Sequence, residues 1–284
     1  MKRTFICIVT IAGLMLATGN AHAGAWTQKR SLGYYELKFY FIRANRYYEP
    51  DGNVITIPTL GEYTFSFYSE YGLTEWLTLV GEIPVYKHIS LNRQVGSSTG
   101  FVYFPGDSVS GIADAEIGVR VGLLRSGPTV LSAGLKFGLP FGDDSQPNGL
   151  LTGDREFNQI LSLQLGHSFH PMPMYFTSEA GVNNRTKGYS DEFRYEAELG
   201  CTIGRALSVN FKVNGTEPFR NGDDTVTGGM GGLYANNQRY LAYGPGVFYN
   251  FYQNFGINTR VAFAAYGENV LAKPQYFFGI YLKQ

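Results

Sequence analysis

The stretch that decides the fold is ADAEIGVRVGL at residues 113–123, in which apolar and polar side chains alternate. Ile117 and Val119 fall on one parity, and Glu116 and Arg120 fall on the other. Successive side chains of a β-strand point to opposite faces, so this period of two predicts a strand with one apolar and one polar face.

The same period recurs along the chain and predicts twelve strands. They cover residues 34–41, 62–68, 77–85, 113–123, 131–139, 161–168, 175–183, 193–203, 207–214, 241–249, 255–265 and 276–282. Most are close to the roughly 9 to 11 residues that a tilted strand needs to cross a membrane. The connections mostly alternate between long and short, as in exported barrels with short periplasmic turns and longer outer loops. We therefore expect an all-β fold, a 12-stranded antiparallel transmembrane β-barrel; a soluble barrel or sandwich is the alternative.

The first 23 residues have the pattern of an export signal. Lys2 and Arg3 precede an apolar run over residues 5–16, and Ala21 and Ala23 supply the small residues that signal peptidase reads. That run is too short to span a bilayer as an anchor helix. The expected organisation is a signal peptide over residues 1–23 and an outer-membrane barrel domain over residues 24–284.

Composition limits the possible partners. Lys and Arg number 23 and Asp and Glu also number 23, so no basic field exists to hold nucleic acid. Gly 36, Tyr 21 and Phe 21 are high for a soluble enzyme of this length. Cys7 lies in the predicted signal, which leaves Cys201 alone and excludes a disulfide within the mature chain.

Three motifs carry a resemblance to a known family. They are YGLT with WLTL at residues 71–79, GIAD followed by EIGVR at residues 111–120, and LKFGLPFG at residues 135–142. Together they resemble the outer-membrane transporter family linked to phenol meta-cleavage operons, over about residues 63–142. The opening GAWT at residues 24–27 is also similar to XagA-like envelope proteins. The chain ends in LKQ, without the terminal aromatic residue of many such barrels, so recognition by the insertion machinery is expected to rest on Tyr276, Phe278 and Tyr281.

Charged side chains on the polar parity are expected inside the barrel, because a Lys or Arg that faces lipid at the midplane costs roughly 2 to 4 kcal/mol. The predicted mid-lumen charge belt consists of Lys38, Glu82, Glu116, Lys136, Glu179, Glu198, Lys212 and Arg260. Further polar and aromatic side chains expected to face the lumen are Tyr34, Glu36, Tyr40, Tyr68, Asp114, Arg120, Gln164, Tyr175 and Arg194. Across adjacent strands, Glu116 is expected beside Lys136, and Glu198 beside Lys212.

Enzymatic and cofactor sites have little support. The histidines after the predicted signal are His88, His167 and His170, with no metal-binding motif, and no cofactor is expected. His88 beside Ser90 is the best available nucleophile and base pair for a barrel hydrolase, and two residues on one strand are a weak signal. The glycine-rich run at residues 228–232 does not join a strand to a helix, which favours an outer loop over a phosphate-binding loop.

The sequence thus favours an outer-membrane channel or passive transporter for small, aromatic or hydrophobic molecules. The open alternatives are a structural or surface-interaction barrel with a plugged lumen and a barrel hydrolase. The expected partners are outer-membrane lipid and lipopolysaccharide, the barrel-insertion machinery and a small-molecule solute.

Overall fold

The computed structural model describes residues 24–226, 228 and 235–284. The predicted signal at residues 1–23 and most of the glycine-rich run lie outside these residues. Within them, no helix is long and apolar enough to cross a bilayer.

Twelve long strands among the described residues form the wall of a closed antiparallel barrel. They are β1 (Gly33–Tyr48), β2 (Val54–Gly72), β3 (Leu77–Leu91), β7 (Ala115–Leu124), β8 (Thr129–Leu139), β9 (Asn158–Ser168), β10 (Met174–Asn184), β11 (Glu192–Ile203), β12 (Leu207–Pro218), β13 (Arg239–Tyr252), β14 (Phe255–Glu268) and β16 (Gln275–Lys283). Each pairs with its neighbours in the chain, and β1 closes the barrel by pairing with both β2 and β16. The prediction of twelve strands in an all-β barrel is confirmed.

Within the described part of the chain, four short strands lie in the outer connections, where the sequence shows no strand signal. They are β4 (Gln94–Val95), β5 (Val102–Phe104), β6 (Asp107–Gly111) and β15 (Val270–Leu271). β6 continues the pairing of β3 above β7, so the fourth wall strand is interrupted between the two. The predicted strand start at Ala113 was therefore wrong, because Ala113 and Asp114 lie in this break.

The side chains of β9 show which face meets lipid. Leu161 and Leu163 are 63% and 58% exposed, whereas Ser162 and Gln164 between them are 3% and 4% exposed. A soluble barrel would bury the apolar set and expose the polar set. The reverse arrangement, in a barrel closed so that it has no free sheet edge, is that of a protein that lies in the bacterial outer membrane.

Polarity of the two ends follows from the connections. The turns after β2, β7, β9, β11 and β13 are short, and they lie at one end of the barrel. The first residue of β1 and the last residue of β16 lie at the same end. Short turns mark the periplasmic end in such barrels. The longer connections, including the one over residues 140–157, lie at the outer end.

Candidate functional site: the barrel lumen

Two cavities in the lumen are lined by residues that the structure describes. The outer cavity has a volume of 350 Å³ and lies against β9 to β13, and the inner cavity has a volume of 420 Å³ and lies nearer the periplasmic end. Glu179 of β10 and Glu196 of β11, which are register partners, line both cavities. The two spaces therefore meet at this pair of carboxylates.

Most residues of the predicted charge belt surround the inner cavity. Its lining includes Lys38, Glu82, Glu179, Glu198, Lys212 and Arg260. The two remaining members, Glu116 and Lys136, lie beside Glu179, with Nζ of Lys136 3.9 Å from Glu179 Oε1 and 3.7 Å from Glu116 Oε2.

The other residues predicted to face the lumen lie partly along the two cavities and partly in buried contacts outside them. Tyr34, Glu36, Tyr40, Tyr68 and Arg120 line the inner cavity, and Arg194 lines the outer one. Gln164 is buried against Arg120. Tyr175 is buried and donates a hydrogen bond of 2.6 Å to Glu198. Asp114 holds a loop and lines neither cavity.

Opposite charges pair inside the lumen, between adjacent strands for Lys136 and Glu116 and between more distant strands for the next two pairs. Nζ of Lys38 lies 2.9 Å from Glu82 Oε2 and 4.0 Å from the ring centre of Tyr68. Arg194 lies 3.3 Å from Glu116, which places Glu116 between this guanidinium and Lys136. Such pairing lowers the cost of holding charges in a narrow space.

Glu198 and Lys212 lie side by side on β11 and β12, as expected. The two residues are register partners, but Nζ of Lys212 lies 2.7 Å from Oε2 of Glu196. The carboxylate of Glu198 instead accepts a hydrogen bond from the hydroxyl of Tyr175. Strand alternation places Glu196 and Glu198 on one face without deciding which of them the flexible lysine side chain reaches.

Residues 24–31 precede β1, and residues 24–28 of this N-terminal segment enter the periplasmic part of the lumen. Oγ of Ser132 donates a 2.6 Å hydrogen bond to the carbonyl of Ala25, and the backbone N–H of Gln28 donates to Oγ1 of Thr78. The indole of Trp26 packs so closely over Gly166 that a Cβ added there would lie 2.8 Å from the ring. The segment thus covers the inner wall formed by β3, β8 and β9.

A buried ion pair anchors this N-terminal segment. Nη2 of Arg120 lies 3.0 Å from Oε1 of Glu70, and Nη1 donates a 3.0 Å hydrogen bond to the carbonyl of Trp26. Glu70 Oε2 accepts from the side-chain amide of Gln28, and Gln164 accepts from Nε of Arg120. Arg120 and Glu70 therefore form hydrogen bonds both within the barrel wall and with the N-terminal segment.

The outer mouth is narrowed by the connection over residues 140–157. Leu150 of this loop is fully buried and joins an apolar cluster with Leu60, Ile89 and Leu271 at the outer end of β1 to β3. Asp114 fixes the base of the loop, because its carboxylate accepts hydrogen bonds of 2.7 and 2.8 Å from the backbone N–H groups of Gly142 and Asp154. The outer opening is consequently displaced towards β9 to β13.

An acidic cluster lines that opening. Arg185 contacts Asp154, Glu156 and Glu192, and Glu156 is almost completely buried. Burial, reinforced by the charge of Asp154, raises the pKa of Glu156, and burial likewise raises the pKa of Asp154. Arg185 and Arg194, which also contacts Glu192, give two positive charges to three carboxylates, so this part of the mouth favours bound protons or cations.

The histidines lie away from these cavities. Nδ1 of His88 lies 2.7 Å from Oγ of Ser110 on the outer wall, and Nδ1 of His167 lies 2.8 Å from Oγ1 of Thr129 beside a periplasmic turn. His88 thus contacts Ser110 and not the predicted Ser90. Among residues 24–226, 228 and 235–284, no group of three or more His, Cys, Asp or Glu side chains is arranged to hold a metal ion.

The chain matches one family model and the folds of several solved structures. The model described as "Putative MetA-pathway of phenol degradation" matches residues 60–277. An outer membrane channel from Pseudomonas putida F1 is 11% identical, with a TM-score of 0.66 over 92% of this chain and 98% of that one. The NanC porin is 7% identical, with a TM-score of 0.52 over 88% of this chain and 100% of that one. No curated protein sequence matches the chain.

Several residues of the site were not predicted from the sequence. The N-terminal segment has no alternation of apolar and polar side chains. Its length before the first strand is the one feature of the sequence that indicates a separate position for it. Lys87 lies beyond the predicted end of β3 and pairs with Glu62 at 3.1 Å. It was missed because a bulge at Val85 shifts the alternation of inward and outward side chains by one residue. The cluster around Arg185 depends on how a loop folds, which strand alternation does not encode.

Proposed function

Since the chain belongs to the family described as "Putative MetA-pathway of phenol degradation", we propose that it is an outer-membrane channel through which small molecules diffuse passively. The observation that supports this most strongly is the pair of cavities that meet at Glu179 and Glu196 inside a closed barrel. Ions and strongly polar solutes need a polar pathway of this kind to cross a bilayer. The fold likeness to a channel and a porin is in keeping with the proposal.

The lining of the inner cavity suggests the kind of solute. Tyr34, Tyr40, Phe248 and Phe277 present rings, and charged side chains of both signs lie among them. Rings stack on a planar aromatic solute, while Lys or Arg attracts a carboxylate or phenolate on it. A volume of 420 Å³ falls within the range of about 300 to 1,000 Å³ of small-ligand pockets. We infer that small aromatic acids and phenols are the preferred solutes.

Liposome swelling tests this function. Purified protein in liposomes should admit benzoate and a hydroxybenzoate faster than a trisaccharide, because the trisaccharide is much larger than the aromatic acids and the lumen cavities measure only 350 and 420 Å³. Protein-free liposomes correct for direct passage of the neutral acids through lipid. Equal rates with and without protein for every solute would contradict the channel proposal.

The N-terminal segment and the loop over residues 140–157 give one specific reason to consider a second function. If they close the lumen completely, the protein is a structural or surface-interaction barrel. Absence of swelling for ions as well as for organic solutes would favour that alternative.

The proposed partners besides solute are membrane lipid, lipopolysaccharide and the barrel-insertion machinery. Tyr276 and Phe278 face outward on β16 and are 41% and 48% exposed, so both are available for such contacts. Tyr281, which was expected to share this role, is 1% exposed and donates a hydrogen bond to Asn250 inside the barrel. Recognition of the terminal strand therefore falls to the first two residues.

A further inference from the structure

The first residue of the predicted mature chain lies inside the lumen. Gly24 lines the inner cavity, and a Cβ built on it would lie 3.5 Å from Oε2 of Glu179 and 4.0 Å from Nη2 of Arg120. Ala25, the next residue, is 1% exposed and its carbonyl is held by Ser132. The position of Gly24 is therefore fixed by the anchored segment that follows it.

Glu179 has room for another cation. Its nearest charged partner among the described residues is Nζ of Lys136 at 3.9 Å, which is too long for a hydrogen bond. No hydrogen bond to the Glu179 carboxylate is present within the same residues. The charges around the inner cavity show a matching deficit, because the described lining has five carboxylates (Glu36, Glu82, Glu179, Glu196 and Glu198) and four cations (Lys38, Arg120, Lys212 and Arg260).

We propose that the α-ammonium group of Gly24 is the fifth cation of this cavity and that it helps to set the charge selectivity of the channel. Hydrolysis of the Ala23–Gly24 peptide bond consumes one water molecule, leaves the carboxylate on Ala23 and frees an amine on Gly24, which takes up a proton. Export processing thereby adds a positive charge beside Glu179. The inference rests on the proposed channel function for its effect on selectivity, but not for the location of the group.

The charge at this position can be removed without shortening the chain. An N-terminal glutamine cyclises with loss of ammonia and so has no ammonium group, whereas an N-terminal serine keeps it. The Cβ that both Gly24→Gln and Gly24→Ser add meets its neighbours only at ordinary contact distances. Intact mass identifies the cleavage site in each protein and shows whether the Gly24→Gln variant has cyclised.

The selectivity test is the reversal potential in planar bilayers under a potassium chloride gradient at pH 7, where a terminal amine is largely protonated. Cyclised Gly24→Gln should favour potassium over chloride about threefold more than the wild type, since an unscreened charge in a constriction acts strongly on passing ions. Gly24→Ser keeps the ammonium group, so the selectivity of cyclised Gly24→Gln is compared with that of Gly24→Ser. Equal selectivity of the cyclised variant and Gly24→Ser, or cleavage at a site other than Ala23–Gly24, would overturn the proposal.

A second measurement gives the location without ion flow. A bulky, membrane-impermeant amine reagent should modify the α-amine of Gly24 many times more slowly in the folded barrel than after unfolding in urea. Equal rates in both states would overturn the proposal even if the wild type does not conduct. Protection together with a silent bilayer would uphold the location and contradict the channel function, so the two failures are distinguishable.

Discussion

The guanidinium of Arg120 on β7 lies 3.0 Å from the carboxylate of Glu70 on β2, and both side chains are almost completely buried in the lumen. β3 lies between their strands in the barrel wall. The ion pair therefore spans β3 on the lumen side of the wall. Arg120 also donates a hydrogen bond to the carbonyl of Trp26, and Glu70 accepts one from the side chain of Gln28. The ion pair is the point where the wall and the N-terminal segment depend on each other.

Removing this cation should destabilise the barrel strongly. Arg120→Met leaves Glu70 buried without its partner, which costs roughly 3 to 5 kcal/mol of unfolding free energy. The double variant Glu70→Gln/Arg120→Met should recover part of the loss, because it removes both charges. Urea unfolding in detergent measures the difference, with Arg205→Met at an exposed turn as the control. A single variant as stable as the double variant would show that the ion pair does not act as described.

Shortening the N-terminal segment should widen the channel. Deletion of residues 25–29 keeps Gly24 but removes the part that occupies the periplasmic end of the lumen, so single-channel conductance should rise severalfold. Deletion of residues 97–101 from the exposed connection between β4 and β5 removes the same number of residues and should leave conductance unchanged. If both deletions give wild-type conductance, the segment does not obstruct the pathway.

Asp114 should control the loop over residues 140–157. Asp114→Ala removes the acceptor for the N–H groups of Gly142 and Asp154, at a cost of roughly 1.5 to 3 kcal/mol for each bond to a charged group. We expect faster proteolysis of the loop in intact vesicles and a higher conductance. Asp114→Asn keeps one acceptor oxygen and should show an intermediate effect. Unchanged protease resistance in Asp114→Ala would contradict the assigned role.

The acidic cluster at the outer mouth should make stability depend on pH. The folded protein raises the pKa of both Asp154 and Glu156, so it binds more protons than the unfolded chain does once pH exceeds the usual carboxyl range near 4. Their contribution to stability is greatest below that range and is lost as pH rises through the raised folded-state values. Glu156→Gln should reduce the decline in melting temperature between pH 4 and pH 8. An identical decline in this variant would assign the pH dependence to other groups.

The wall of the barrel was predictable because membrane strands repeat one simple rule. Leu161, Ser162, Leu163 and Gln164 alternate between lipid and lumen, and the same requirement acts on every strand. The positions of the belt residues follow from parity alone. The family resemblance added an expected function and no side-chain positions; the resemblance to XagA-like proteins stays a prediction.

The parts that escaped prediction depend on contacts between distant segments. Trp26 and Leu150 belong to segments that enter the lumen from opposite ends, and neither segment has a repeating pattern. Lys212 forms its ion pair with Glu196, while the carboxylate of Glu198 accepts a hydrogen bond from Tyr175. Contacts of this kind depend on how side chains from distant segments pack, which the alternation within each strand does not determine.

The central claim is that solutes and ions pass the charge belt, and charge reversal in the belt tests it most directly. Lys136 and Lys212 lie beside Glu179 and Glu196, the two residues shared by both cavities. Lys136→Glu/Lys212→Glu replaces two cations with two anions there, so the reversal potential under a potassium chloride gradient should shift towards cation selectivity. Native heat-modifiability on gels establishes that the variant barrel is folded. A folded variant whose selectivity equals that of the wild type would contradict the account.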